Sequence, residues 1–139
     1  MSFEELTKEK GYHLSFESIS EPRIDGIQLR IIVNKSADPT DLLIYPHPDS
    51  KVTRLQIDFK NYISYFVIYD DYTKWNDEEE YEGESFVIYQ KSNLLRFLQK
   101  DTSLDSYFPK GTITHYSLSC IEHRVDIISK YEPVITEIH

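Results

Sequence analysis

Hydrophobic residues recur at every second position through most of this chain, and that period admits strands with one buried face rather than helices. The clearest stretch sets Leu55, Ile57 and Phe59 against Arg54, Gln56 and Asp58. Ile27, Leu29, Ile31 and Val33 repeat the pattern. Residues 62–69 are apolar at both parities, which predicts a central strand covered on each side. Further strands are expected at 12–19, 41–45, 84–90, 112–120 and 123–129. Turn chemistry separates them, at Asp25-Gly26, Ala37-Asp38-Pro39, the Pro46-His47-Pro48-Asp49 cluster and Pro109-Lys110-Gly111.

Two segments break the alternation. Ser2 and Glu5 are spaced as a capping box, with Phe3 and Leu6 one turn apart and Gly11 placed to end a short N-terminal helix. Ser92 can cap a second helix near 93–100, whose Leu94, Leu95, Phe97 and Leu98 fall along one broad face and pack on the sheet. A further turn is expected through 102–106, before Pro109. With 139 residues the chain is one ordinary domain, and 40% hydrophobic against 28% charged residues suits a foldable core. The expectation is a single α+β domain over 1–139, built on one curved, mainly antiparallel sheet of about 6–8 strands.

Charge narrows the function classes. The net charge is −9, which repels the phosphate backbone and anionic lipid, so neither nucleic acid nor membrane is expected as a partner. None of the four glycines stands in a phosphate-cradling motif. No apolar h-region is visible in residues 1–26, and the longest apolar run, 65–69, is five residues. The lone Cys120 cannot form an internal disulfide and suits a reducing cytoplasm.

The acidity is local. Residues 70–84 hold eight acids against Lys74 alone, a charge of −7, and the rest of the chain is left with 16 acids and 14 bases, or −2. Strand signals on both sides place this segment at the tip of a projecting hairpin. Its acids are interleaved with Tyr69, Tyr72, Trp75 and Tyr81, rings of the kind enriched at interfaces. Asp70, Asp71, Tyr72, Trp75, Asp77, Glu78, Glu79, Glu80, Tyr81 and Glu82 are therefore the candidate contacts for a basic protein partner. The reading is a non-catalytic cytoplasmic binding protein, in the manner of an inhibitor or immunity protein; the plainer one is a solvated loop that keeps the chain soluble. Glu78, Glu80, Glu82 and Gly83 imitate the first half of a calcium loop, but Tyr89 stands at its twelfth position, where a bidentate carboxylate is needed. Neither metal nor other cofactor is expected.

Chemistry elsewhere is sparse. His115, Cys120 and His123 offer zinc-type donors, but on a strand His115 and Cys120 project to opposite faces. A Cys120–His nucleophile pair oriented by Asp126 is conceivable on residue type alone, as no hydrolase elbow or metalloprotease helix is present. Asp126 interrupts an apolar run and shares a face with Ile128, which suits a partly buried carboxylate paired with Arg124 or with a base on another strand. The alternative function is thus a small-molecule-binding or enzymatic sheet domain with His115, His123 and Asp126 in one pocket, lined by some of the eleven tyrosines. A third reading is self-association through exposed edges at 12–19 or 134–138. Arg23, Arg30, Lys51 and Arg54 remain as candidates for a modest basic face.

Overall fold

The computed structural model describes residues 1–74 and 76–139. Trp75, one of the expected contact residues, lies outside them. Among the described residues the chain opens with helix α1 (Phe3–Lys8) and an antiparallel meander of β1 (His13–Ser20), β2 (Leu29–Ser36) and β3 (Thr53–Phe59). It then passes into a second sheet made of β4 (Ser64–Tyr69), β5 (Glu80–Glu82), β6 (Phe86–Lys91), β7 (Thr114–Ser119) and β8 (His123–Ser129), in the order β4-β8-β7-β6-β5. Finally β9 (Val134–Ile138) returns beside β3, so that the first sheet reads β1-β2-β3-β9. The α+β class and antiparallel pairing follow the alternation, but the strands form two sheets of four and five rather than one. Each strand's apolar parity can be buried only against a second layer, and the inner faces of the two sheets supply that layer for each other.

Leu29, Ile31, Val33, Leu55, Ile57 and Phe59 from the first sheet share one core with Phe86, Tyr116, Leu118, Val125 and Ile127 from the second. The N-terminal helix is stapled by the expected box, with the Glu5 N–H donating to Ser2 Oγ at 3.1 Å and the Ser2 N–H to Glu5 Oε2 at 3.2 Å. This sets Phe3 edge-on to Phe86 and Tyr116, with ring centroids 5.0 and 5.1 Å away. The helix stops at Lys8, before Gly11.

Three further expectations change. Residues 41–45 are not a strand: helix α2 (Pro39–Ile44) occupies them, because Asp38 accepts the Thr40 N–H at 2.9 Å and Pro39 presets the first helical φ. The strand read at 62–69 is not central. It is β4, an edge, and Phe66, Val67, Ile68 and Tyr69 are 44, 40, 38 and 58% exposed. Nor is 70–84 a hairpin tip, since among the described residues β4 pairs only with β8 whereas β6 pairs with β5 and β7. The acidic segment starts at one edge of the five-stranded sheet and ends in β5 at the other, so it forms a strap across the sheet's outer face. A 3-10 turn at Asp70–Tyr72 begins the crossing.

Helices α3 (Asn93–Asp101) and α4 (Leu104–Tyr107) cover another part of that outer face. Leu98 and Leu104 bury Ile128 there, with Ile63, Leu94, Leu95, Phe108 and Ile113 around them. The layers are therefore helices and strap, five-stranded sheet, four-stranded sheet.

Candidate functional site

In an antiparallel ladder, opposed residues share a face. The register pairs Ser117 with Asp126 and Ser119 with Arg124, and it sets Tyr89 opposite His115. All of these side chains therefore point to the outer face, beneath strap and helices. The sequence already placed Asp126 on the parity of Ile128, and the structure adds the partners that justify a carboxylate there.

His115 Nε2 lies 2.7 Å from Asp126 Oδ1, and His115 Nδ1 lies 2.6 Å from Ser92 Oγ. Ser92 Oγ also accepts the Leu95 N–H at 3.0 Å as the cap of α3. His115 thus bridges the serine hydroxyl and the Asp126 carboxylate through its two ring nitrogens. Arg124 Nε reaches the same carboxylate at 3.2 Å, while its Nη2 donates to the Tyr89 hydroxyl at 2.5 Å. The Tyr89 ring stacks on His115, 4.1 Å between centroids and 11° from parallel. Burial alone would raise the Asp126 carboxyl, but the His115 hydrogen bond and the Arg124 charge hold it below the ordinary value. Burial pushes the Tyr89 phenol up to about 12 against the opposing pull of Arg124, with Asp126 and Glu79 adding to the rise.

A serine, a histidine and an aspartate in series have the order of a nucleophile relay. Here the serine is spent on holding the helix. Ser92, His115 and Asp126 are only 8, 1 and 7% exposed, and the cavity on this face touches neither Ser92 nor His115. The chain of bonds runs from the N-terminus of α3 through β7 to β8, and its chemical effect is to fasten the helix to the sheet with each of these buried polar groups paired.

That cavity, about 220 Å³, lies between strap and sheet. Asp70, Thr73, Lys74 and Glu79 contribute from the strap, and Tyr89, Ser117, Ser119 and Arg124 from the sheet. Glu79 is set apart from the other strap acids, because its Oε2 accepts the Asn93 N–H at the first turn of α3 at 3.0 Å. An anion at that position is favoured by the unpaired N–H groups and by the helix dipole. Asp70, Asp71, Asp77, Glu78, Glu80 and Glu82 are exposed, as are Tyr72 and Tyr81.

His123 does not join His115 and Asp126. It opposes Tyr69 on the other parity of β8, and its ring lies between Phe16 and Tyr69, 5.0 and 4.7 Å from their centroids. Cys120 is buried, and that burial pushes its thiol up to about 12. Among the described residues no three His, Cys, Asp or Glu side chains converge as metal ligands, and no helix is long and apolar enough to cross a membrane. Two of the four basic-face candidates are neutralised: Arg30 bonds Asp58 through two nitrogens at 2.8 and 3.2 Å, and Arg54 bonds Glu17. Ser92, Tyr89 and Arg124 were missing from the expected pocket. The capping signal pointed toward Ser92, and Arg124 was expected as the ion-pair partner of Asp126, which it is.

The chain matches no protein-family model, no curated protein and no solved structure.

Proposed function

We propose that this domain is a binding protein for a basic protein surface, engaged by the acidic strap together with the edge strand that leads into it. One observation carries the reading: the exposed acids of the strap continue directly from exposed apolar residues on β4, so Phe66, Ile68, Tyr69 and Tyr72 adjoin Asp70 and Asp71 on one rim. Apolar contact area beside a concentrated field of one sign is the composition of a protein interface, with steering from the charge and affinity from the rings. Closely spaced acids repel one another, and a partner bearing Lys or Arg relieves that repulsion. The role is that of an inhibitor or immunity-type protein in a reducing cytoplasm.

The test is affinity capture from native cytosol over a salt series, with the Glu78→Gln/Glu80→Gln/Glu82→Gln triple variant as control. Glu79 is left intact because it holds α3. A basic protein retained by the natural chain, lost on the triple variant and released early by salt is the expected result. Equal retention by both chains would overturn the charge reading.

A second reading rests on a separate observation, the 220 Å³ cavity beside Arg124. A small polar ligand there would meet the arginine, Lys74 and the hydroxyls of Ser117 and Ser119. Chemical-shift changes confined to 117, 119 and 124 in a metabolite screen would favour it over the protein partner.

A further inference from the structure

We infer that the basic partner binds by adding a strand to the outward edge of β4, which pairs with no strand but β8 among the described residues, an inference that rests on the protein-partner reading above and specifies its mode. The edge is defined by the backbone. Asp70 N–H donates to the Glu122 carbonyl at 2.9 Å, and β4 runs antiparallel to β8 with Phe66 opposite Asp126 and Ile68 opposite Arg124. Since ladder bonds alternate along an antiparallel strand, the N–H and C=O groups of Phe66 and Ile68 face β8, while those of Tyr65, Val67 and Tyr69 face outward. These form a ready template for another chain.

The other edges of the two sheets are blunted. On β1 the register breaks between Phe16 and Ser18, with the charged Glu17 at the irregularity. Three residues make up β5, two of them glutamates, and its register is broken as well. Pro133 precedes β9, and Glu137 sits within it. None of these devices protects β4: its Ser-Tyr-Phe-Val-Ile-Tyr is regular, six residues long, and free of charge, proline and glycine. Left open, such a segment is an aggregation hazard, and a dedicated occupant removes the hazard.

Charge selects the occupant. Asp70 and Asp71 follow β4 without a break, and the strap that begins there carries −7. A second copy of the chain would bring another −9 to the same place. A foreign strand with apolar residues against Phe66, Val67 and Ile68 and with Lys or Arg passing Asp70 and Asp71 is complementary in both respects.

The experiment titrates the full chain with three capped synthetic peptides of about eight residues, in which valine alternates with lysine, threonine or glutamate. Val67→Pro is the decisive variant. It deletes an outward N–H without removing a bond to β8, a placement that edge strands tolerate. Val67→Lys serves as the second variant and leaves the backbone intact. The lysine peptide should bind the natural chain best and the glutamate peptide least, with a loss of about tenfold or more on Val67→Pro. Binding should also slow amide exchange at Tyr65, Val67 and Tyr69, whose N–H groups face away from β8. Salt-sensitive binding of the lysine peptide that Val67→Pro and Val67→Lys leave unchanged would overturn strand addition and spare the acidic-surface reading. Equal binding of all three peptides, lost on Val67→Pro, would keep the edge and overturn the charge reading. No binding of any peptide, with a sedimenting dimer that Val67→Pro dissociates, would replace the foreign strand by a second copy and overturn the inference.

Discussion

Glu79 and Asn93 join the strap to the helix, carboxylate to backbone N–H at 3.0 Å. This contact ties one acid of the strap to the first turn of α3. Glu79→Ala should lower stability by about 1 kcal/mol through the lost bond and the lost dipole interaction. Glu78→Ala, which removes an exposed carboxylate, should stay within about 0.5 kcal/mol. Urea denaturation of the two variants side by side checks this. Equal effects would show that the strap is not held at α3.

The His115–Asp126 pair should set the acid limit of the fold. Because the Asp126 carboxyl is held below its ordinary value of 3.8 in the folded state, its contribution is fully present above that value and is lost as the pH falls through the depressed one. Asp126→Asn removes this dependence and leaves the part-buried Arg124 without its hydrogen-bonded carboxylate. The variant should therefore be less stable at neutral pH by about 3 kcal/mol, and the gap to the natural chain should narrow as the pH drops below the carboxylate range. Thermal melts between neutral pH and the acid transition check both the size and the trend.

What was legible in the chain was periodicity, and what was not was pairing. Leu55, Ile57 and Phe59 announce a strand with one buried face wherever that strand lies, and the Ser2–Glu5 box and the Ser92 cap are local chemistry complete within four residues. Residues 62–69 show the limit. Apolar residues at both parities suit a covered central strand or an uncovered edge equally, and only the number of neighbouring strands decides between them. The segment 41–45 is too short to display a period, so its flanking Asp38-Pro39 cap outweighs its β-like composition. The relation of His115 to Asp126 and Arg124 required the register of β7 on β8. Strand parity puts each residue on a face but leaves the side chain opposite it unspecified. Likewise, the strap's crossing follows from β4 and β5 standing at opposite edges, a non-local fact that flanking strand signals cannot carry.

Gly83 closes the strap into β6 and should be the least replaceable glycine. Its φ is +103°, and a Cβ there would lie 1.9 Å from the Phe86 carbonyl oxygen and 2.9 Å from Thr7 Cγ2. The backbone conformation and the space exclude a side chain independently. Gly83→Ala should cost about 2–3 kcal/mol. Gly26→Ala, at φ +78° where a Cβ would meet nothing within 4 Å, should cost about 1 kcal/mol, from the strained φ alone. Chemical denaturation of both variants tests the contrast, and equal losses would show that the contact with Phe86 does not matter.

Cys120 should behave as a core residue and not as a reactive thiol. It is buried in the main hydrophobic cluster, its backbone N–H donates to the His123 carbonyl at 2.8 Å, and burial pushes its thiol up to about 12. The thiolate is the reacting species, so at neutral pH the folded chain presents almost none of it, and the small fraction is shielded from reagent. Labelling with an aromatic disulfide reagent should be slow in buffer and complete within the mixing time in denaturant. Its rate in buffer should follow the opening of the fold, so that Asp126→Asn and Gly83→Ala, which loosen the sheet, accelerate it in proportion to their loss of stability. A rate independent of those variants, rising instead with pH through the ordinary thiol range, would place Cys120 at the surface and break the argument that its side chain serves packing alone.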